Sequence, residues 1–265
     1  MILPDNFADE PQKFVVSAPI AAQEKLAGQI FRLTFDAPQI ARLARPGQFV
    51  MVRAEQNSPV TLRRPLGIAT ADSATGRISL IYRVMGNGTA ILSQLKKDDV
   101  INVLGPLGNG FAPSNGQVLL VGGGMGLSPL LFCAARKGLA ADVLMGGKNA
   151  AEMFWPDLFS PYVKNIHITT DDGSVGEQGF TVSLLPRMLT QKKYDLVIAV
   201  GPEVMMRTAA KICREQGVPC QISLERRMAC GLGACLSCSF DTTSGTRRKV
   251  CHDGPVFWAE EVYDA

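Results

Sequence analysis

The sequence predicts two folded domains and a small C-terminal lobe: an antiparallel β-barrel, a doubly wound α/β domain with a parallel sheet, and a lobe held together by cysteines. Three observations lead to this prediction. Short β-rich runs separated by turn residues fill the first part of the chain, and apolar strands alternate with helices in the second. Four of the seven cysteines lie between residues 230 and 251. The expected domains cover residues 1–114, 115–221 and 222–265.

The barrel is predicted from residues 14–111. Turn signals such as Pro46–Gly47 and Gly105–Pro106 separate its β-rich runs. Many short strands with such punctuation are typical of an antiparallel barrel or sandwich. One short helix is expected over Ala90–Leu95. The expected strands include Ile30–Phe35, Gln48–Val52, Arg77–Arg83 and Val100–Leu104.

The pattern changes after residue 116. Val118–Val121 is a fully apolar strand, and a glycine-rich turn and a helix to about Lys137 follow it. Strands that are apolar on both faces and alternate with helices indicate a parallel sheet covered on both sides. The further elements expected are strands over Asp142–Met145, Ile166–Thr170 and Leu196–Val200, and helices over Ala150–Phe159, Val182–Leu189 and Val204–Gln216.

Composition excludes several classes of protein. The 265 residues are 46% hydrophobic and 19% charged, which is typical of a globular chain. The net charge of +3, without a basic stretch interleaved with aromatics, gives no reason to expect nucleic acid. Residues 1–10 lack the apolar core of a signal peptide, so a cytoplasmic protein is expected. The uncharged stretch Val118–Ala135 has glycines in its middle, which favours a buried strand, turn and helix over a membrane span.

The four clustered cysteines have the spacing Cys230-x4-Cys235-x2-Cys238-x12-Cys251. The order C-x4-C-x2-C…C is that of plant-type [2Fe–2S] sites. Structural zinc is a competing interpretation, but zinc ribbons usually contain two C-x2-C pairs and this segment contains one. A third interpretation is that these cysteines are free or disulfide-bonded. The other cysteines stand among apolar neighbours and are expected to be reduced, packed thiols: Cys133, Cys213 and Cys220.

A flavin site is predicted in the barrel from three short segments. In Arg63–Gly67, an arginine can clamp a pyrophosphate and the proline stiffens a strand that lies against a flavin ring. Ile81–Arg83 offers an aromatic face and a second cation. Gly86–Thr89 opens the short helix, whose first N–H groups attract phosphate. Each segment alone also fits an ordinary surface turn or a plain helix cap.

A nucleotide site is predicted where glycines follow the strand Val118–Val121 and open a helix. A tight strand-to-helix turn without a ligand would give the same pattern. Asp171 and Asp172 follow another strand and are expected at the same edge of the sheet, as ligand contacts or as solvated turn carboxylates. Lys148 is either an adenosine contact or a surface lysine. The candidate nicotinamide-nucleotide residues are Gly122, Gly123, Gly124 and Gly126.

Two stretches are the most informative about the family of the chain. They are Glu225–Cys238, with the sequence ERRMACGLGACLSC, and Lys249–Phe257, with the sequence KVCHDGPVF. Gly105–Phe111 and Thr170–Ser174 carry further similarity. On these residues the chain resembles the electron-transfer subunit of class 1B dihydroorotate dehydrogenase, within the ferredoxin-reductase superfamily. The resemblance runs from Phe14 to the C-terminus.

This resemblance implies FAD on the barrel, a [2Fe–2S] cluster on the four cysteines and NAD(H) on the second domain. It also implies an FMN-containing catalytic subunit that oxidises dihydroorotate to orotate in pyrimidine biosynthesis, in a heterotetramer of two subunits of each kind. Electrons would pass from that FMN through the cluster and FAD to NAD⁺. By motif match, the FAD-binding residues are Arg64, Pro65, Leu66, Gly67, Ile81, Tyr82, Arg83, Gly88 and Thr89.

Two positions depart from the pattern of the family. Its members commonly end the first flavin motif in Ser or Thr, whose hydroxyl can bond near the reactive flavin edge, and this chain has Gly67 there. Many relatives in the superfamily carry a Cys before the Gly-Pro near the nicotinamide, where this chain has Val200. We therefore expect altered tuning of the flavin, with its binding less affected.

The number of electrons explains why three redox groups are expected together. A nicotinamide exchanges a two-electron hydride, an iron–sulfur cluster accepts one electron at a time, and a flavin can do both. The sequence contains no convincing nucleophile or base, and His167 and His252 are expected to be structural. Two alternatives remain: a reductase subunit of another complex, such as a sulfide dehydrogenase or a transhydrogenase, and a non-enzymatic, zinc-stapled nucleotide-binding module.

Overall fold

A computed structural model describes residues 12–55, 60–112, 114–136 and 138–264 of the chain. The expectation that residues 1–10 contain no signal peptide lies outside these ranges, as does Lys137, the expected end of a helix. The elements of the first domain are β1 (Phe14–Ala27), β2 (Ile30–Asp36), α1 (Pro38–Leu43), β3 (Phe49–Ala54), β4 (Arg64–Asp72), β5 (Arg77–Arg83), α2 (Asn87–Gln94) and β6 (Val100–Leu107).

These six strands form a closed barrel in the order β1-β2-β5-β4-β3-β6, and every neighbouring pair is antiparallel. The predicted antiparallel barrel is therefore confirmed. Its interior is filled by alternating apolar side chains such as Leu33, Val50 and Ile78. The bounds of β1 and β4 were not predicted from the sequence. A register shift between Ile20 and Ala22 interrupts β1, and β4 opens with an arginine and a proline, which obscures its strand pattern.

The second domain is an α/β sheet whose strands follow β6 in the chain. Its helix α3 ends at Ala134, and the helix expected over Ala150–Phe159 is a 3-10 turn over Ala150–Glu152 followed by a short α-helix. Its elements are β7 (Gln117–Gly123), α3 (Leu127–Ala134), β8 (Ala140–Gly147), α4 (Trp155–Phe159), β9 (Ile166–Thr170), β10 (Glu177–Gln178), α5 (Leu185–Gln191), β11 (Leu196–Val200), α6 (Glu203–Glu215) and β12 (Cys220–Ser223).

Strands β7 to β12 run parallel, in the order β10-β9-β8-β7-β11-β12. Side chains of β7 alternate between two cores, so that Val118 and Leu120 meet α3 and α4 on one face. Leu119 and Val121 meet α5 and α6 on the other face. The predicted doubly wound sheet is therefore confirmed. No helix within the described ranges is long and apolar enough to cross a bilayer.

The C-terminal lobe is joined to this sheet. Strand β15 (Val256–Trp258) pairs antiparallel with β12, with Ile222 opposite Phe257. The boundary expected after residue 221 falls inside β12, so we propose that the third unit begins after Ser223. The elements of the lobe are β13 (Ser239–Asp241), β14 (Arg247–Lys249), α7 (Val250–Asp253), β15 (Val256–Trp258) and α8 (Ala259–Val262).

Candidate electron-transfer site

The four clustered cysteines lie on residues 230–238 and on α7. The N–H of Cys251 donates to Cys238 Sγ at 3.4 Å, and Cys235 Sγ is hydrogen-bonded to the Ser237 hydroxyl at 3.2 Å. Within the described ranges, no group of three or more His, Cys, Asp or Glu side chains is arranged to hold a metal ion. The four cysteines nevertheless have the ligand types and spacing of a plant-type [2Fe–2S] site.

Backbone N–H groups point at these sulfurs. The N–H of Gly233 donates to Cys251 Sγ at 3.1 Å, and that of Leu232 donates to Cys230 Sγ at 3.3 Å. We call residues 230–238 the cysteine loop. It can turn so tightly because Gly231 and Gly233 have φ angles of +73° and +81°, which residues with a Cβ rarely adopt. Hydrogen bonds of this kind stabilise thiolates and tune the potential of a cluster.

The thiols of the cysteine loop and of α7 differ in environment. Hydrogen bonds from Ser237, and then from Cys230, lower the pKa of the exposed Cys235 thiol to about 6. Burial, together with the neighbouring Cys238 thiol, raises the pKa of Cys251 to about 12. Because metal ligands must be deprotonated, the buried thiol requires the positive charge of a metal centre to ionise.

The cysteine loop packs against the barrel. A Cβ added at Gly231 would lie 2.7 Å from Met51 Cγ of β3 and 3.1 Å from Leu107 Cδ1 of β6. Met51 is in turn the cross-strand partner of Pro65 in the predicted flavin motif. Asn109 strengthens this junction, since its side-chain amide donates to the carbonyl of Asp253 at 2.9 Å. The fold therefore brings the cysteine loop beside the strand that carries the flavin motif.

The two adjacent arginines of that motif have different surroundings. Arg63 donates through Nε to Asn102 Oδ1 at 2.7 Å, which holds its guanidinium against the barrel. Arg64 lies over the first turn of α2, where a Cβ at Gly88 would collide with the Arg64 guanidinium. A guanidinium beside the N–H groups of a helix start is a suitable place for a phosphate. Arg64 and Gly88 thus fit a pyrophosphate, as FAD requires.

The side chains of Thr89 and Tyr82 both make contacts within the protein. The Thr89 hydroxyl accepts from the Gly86 N–H at 3.2 Å and donates to the Gly86 carbonyl at 3.0 Å, so it caps the start of α2. The Tyr82 ring is buried in the barrel and packs on Phe31, with centroids 6.1 Å apart, and its hydroxyl accepts from Gln23 at 3.0 Å. Burial raises the pKa of Tyr82 to about 12. The pleat of β5 turns this ring into the barrel, and a role for Tyr82 toward the flavin stays a prediction.

The residues on either side of Tyr82 face the second domain. Ile81 packs in the core shared with α3, and Arg83 forms an ion pair of 3.0 Å with Glu152. On β4, Leu66 packs against the barrel core, while Gly67 stands opposite Pro129 of α3. A Cβ at Gly67 would lie 3.5 Å from Pro129 Cβ, an ordinary contact. Gly67, Ile81 and Arg83 therefore line the junction between barrel and sheet, where a flavin ring would lie within reach of a nicotinamide.

Residues 122–126, which we call the glycine turn, connect β7 to α3. An added Cβ would collide with Leu127 at Gly122, with Met205 at Gly123 (2.8 Å) and with the Val200 carbonyl at Gly126. These three glycines allow close packing inside the protein. Gly124 alone has a positive φ, +54°, and faces open space. It is the glycine of this turn whose surroundings fit a phosphate.

Lys148 follows β8, and Asp171 and Asp172 follow β9, so all three residues lie at the carboxyl edge of the sheet. Asp172 accepts from the N–H of Ser174 at 2.9 Å and from its hydroxyl, and these bonds lower the pKa of the carboxyl. Its role within the structure is that of a turn carboxylate. Three residues near the site were not predicted from the sequence: Met51 and Leu107 at the cysteine loop, and Glu152 at the junction. The sequence feature that could have indicated them is their position in or next to strands that pair with predicted site strands.

Two family models match the chain. The model of the oxidoreductase FAD-binding domain matches residues 17–111, and that of the iron-sulfur cluster binding domain of dihydroorotate dehydrogenase B matches residues 225–263. The first range contains the predicted flavin motifs, and the second contains all four clustered cysteines. FAD and an iron–sulfur cluster are therefore the cofactors of the two matched regions, as predicted.

Curated relatives cover most of the chain. The electron transfer subunit of dihydroorotate dehydrogenase B (NAD(+)) from Clostridium acetobutylicum is 42% identical over 82% of this chain and 86% of its own. The subunit of the same name from Desulforamulus reducens is 38% identical over 94% of this chain and 98% of its own.

A solved structure agrees with this match. It is the structure of an NADH-dependent reduced ferredoxin-NADP oxidoreductase, described in connection with flavin-based electron bifurcation. The two structures superpose with a TM-score of 0.85 at 33% identity, and the match covers 94% of this chain and 90% of the solved chain. The ferredoxin reductase of carbazole 1,9a-dioxygenase, at 20% identity and a TM-score of 0.67, shares the fold. The relatives identify the chain as a member of the family of dihydroorotate dehydrogenase B (NAD(+)) electron transfer subunits.

Proposed function

We propose that this chain moves electrons from the FMN of a catalytic dihydroorotate dehydrogenase subunit, by way of a [2Fe–2S] cluster and FAD, to NAD⁺. Cys230, Cys235, Cys238 and Cys251 would hold the cluster. When bound, the flavin supplies the conversion between single electrons and a hydride. The protein's own task is to position these groups and to exclude water between them.

The contact of Gly231 with Met51 carries this proposal. Because Met51 pairs with Pro65, the cysteine loop packs on β3, and the flavin motif lies on the neighbouring strand β4. Directly opposite residues of an antiparallel pair have Cα atoms about 5 Å apart. A cluster in the loop and a flavin on β4 would therefore be separated by little more than one strand.

The partner surface is proposed to be the outer side of the cysteine loop. Leu236 is 62% exposed and Leu232 44% exposed, beside the exposed Cys235. Arg226 and Arg227 precede the cysteine loop in the chain and are also exposed, and Arg226 forms an ion pair with Glu203 at 3.7 Å. Exposed apolar residues next to a redox centre suit a partner with an apolar patch. We further propose the heterotetramer of two subunits of each kind.

Reconstitution tests the function. We expect this chain, co-expressed with the FMN-containing catalytic subunit, to form a complex that oxidises dihydroorotate and reduces NAD⁺, measured as NADH absorbance. The catalytic subunit alone should produce orotate only with an artificial acceptor. A stable complex in which dihydroorotate never reduces NAD⁺ would refute the proposal.

Surface variants test the docking face. Leu236→Asp should weaken the complex at least tenfold, because a charge would be buried against an apolar partner. Val15→Asp is the matched control, since Val15 is equally exposed, at 62%, on the barrel strand β1. Equal losses for both variants, measured by size-exclusion chromatography or titration calorimetry, would rule out this face.

The solved structure at 33% identity supports a second candidate, a subunit that exchanges electrons between NADH and another partner complex. The curated relatives are more similar, at 42% and 38% identity, and favour the first candidate. Pull-down of an FMN-containing dehydrogenase, as opposed to a ferredoxin-NADP oxidoreductase subunit, separates the two. Zinc is tested by analysis for metals and inorganic sulfide, because a zinc site contains neither iron nor inorganic sulfide.

A further inference from the structure

The side chain of Met51, on β3, faces away from the interior of the barrel. Its neighbours in the strand, Val50 and Val52, pack in the barrel core, and the side chains of a strand alternate between its two faces. Met51 belongs instead to the core that the barrel shares with the sheet and the C-terminal lobe, where it is 1% exposed. It is therefore part of the interface between the barrel and the lobe.

Met51 has the cysteine loop above it and the flavin motif beside it. The ideal Cβ position at Gly231 lies 2.7 Å from Met51 Cγ and 3.4 Å from Met51 Sδ, so the loop rests directly on this side chain. On the neighbouring strand β4, Pro65 is the residue opposite Met51, and directly opposite residues share one face of a sheet. A single buried side chain thus adjoins both regions that are predicted to hold a redox group.

The clustered cysteines differ in their access to solvent. Cys238 and Cys251 are each 2% exposed and belong to the same apolar core as Met51, whereas Cys235 is exposed. Leu107, which is 1% exposed, adds to the apolar surface under Gly231. The cysteines therefore have an apolar side, toward the barrel, and a side that is open to water.

We propose that the Met51 side chain keeps water out of the barrel side of the cysteine loop and thereby holds down the reduction potential of the cluster. A reduced cluster carries one more negative charge than an oxidised one, and water or polar groups stabilise that charge. Met51 is covered by protein atoms and acts through the loop, as a positioning residue that touches no cofactor. The inference rests on the proposed function only in requiring that the four cysteines bind an iron–sulfur cluster.

The reduction potential of the cluster in the full-length chain tests the proposal. Gln has nearly the shape of Met but carries an amide, so Met51→Gln brings polar atoms, and water with them, to the barrel side of the loop. The midpoint potential, from a redox titration followed by electron paramagnetic resonance, should rise. Met51→Leu keeps the side chain apolar and similar in volume, so its potential should match the wild type. A wild-type potential in Met51→Gln, or equal shifts in both variants, would overturn the proposal.

Release of iron to a chelator gives a second readout. Water admitted under the loop should make Met51→Gln lose iron faster than the wild type by about threefold or more. Met188→Gln is the matched control, because Met188 is also buried, at 5% exposed, but lies on α5 of the second domain. Its iron should leave at the wild-type rate. Equal acceleration in both variants would show a general loss of stability and contradict the assignment to Met51.

Thermal unfolding separates the exclusion of water from packing alone. If Met51→Gln lowers the unfolding midpoint but leaves both potential and iron release unchanged, Met51 serves packing alone and the proposal is overturned. Where Met51→Gln does not fold, Met51→Thr replaces it, because threonine suits a strand and places a hydroxyl beside space that water can fill. It should shift the potential in the same direction. A wild-type chain that contains neither iron nor inorganic sulfide would instead refute the proposed function.

Discussion

The cysteine loop and the glycine turn both contain closely spaced glycines, yet those glycines have different causes. In the cysteine loop, Gly231 and Gly233 adopt positive φ angles that let backbone N–H groups reach the sulfurs. In the glycine turn, Gly122, Gly123 and Gly126 are required by neighbours inside the protein, and only Gly124 faces open space. A glycine motif that resembles a ligand site is thus largely a packing motif, whereas the cysteine motif owes its function to the side chains themselves.

The largest expected effect is the loss of the cluster from Cys235→Ser. A serine hydroxyl is a poor substitute for a thiolate ligand, so iron and inorganic sulfide should fall to near zero while FAD is retained. Cys133→Ala is the control, since Cys133 is buried in α3, away from the cysteine loop. Its cluster content should match the wild type. A Cys235→Ser protein with both centres intact would refute the ligand assignment.

The next effect distinguishes the glycines of the turn. Gly126→Ala should lower the free energy of unfolding by about 3 kcal/mol, because its Cβ would collide with the Val200 carbonyl. Gly124→Ala should cost only about 1 kcal/mol from its positive φ, yet it should weaken NADH binding. Urea denaturation and NADH titration measure the two quantities. If Gly126→Ala is as stable as Gly124→Ala, the packing explanation fails.

A smaller effect is expected within the cysteine loop. Gly231→Ala and Gly233→Ala both place a Cβ at a positive φ, at a cost of about 1 to 2 kcal/mol each. Gly231→Ala also drives the loop against Met51, whereas the Cβ of Gly233→Ala would lie 3.0 Å from His252 Cβ. It should therefore slow flavin reduction by the dihydroorotate-reduced catalytic partner more than Gly233→Ala does, as followed by stopped-flow absorbance. Equal rates in the two variants would show that this contact does not set the spacing of the redox groups.

The smallest effect concerns the ion pair across the junction. Arg83 and Glu152 are both partly buried, with side chains 30% and 25% exposed. Glu152→Gln should therefore lower the free energy of unfolding by about 1 kcal/mol. Glu177→Gln breaks the more exposed pair with Arg187 and should change stability by only a few tenths of a kcal/mol. Chemical denaturation of both variants at low and at high salt measures the difference. A cost that is equal for both would show that the junction pair is no more than a surface contact.

The sequence alone was enough to predict the barrel, the doubly wound sheet and the cluster cysteines. Alternating and fully apolar runs have periods that depend only on local geometry, so the strands Ile166–Thr170 and Leu196–Val200 were placed to the residue. The cysteine spacing is equally informative, because sulfur ligands belong to few kinds of chemistry.

Tertiary structure decided the rest. It turned Tyr82 into the barrel, divided the glycines of the turn between packing and open space, joined β15 to the sheet and set the cysteine loop against Met51. Each of these outcomes depends on a neighbour far away in the chain, and a pattern of residue types does not contain that neighbour. Local periodicity therefore determined which elements form, and long-range packing determined which of their side chains reach the site.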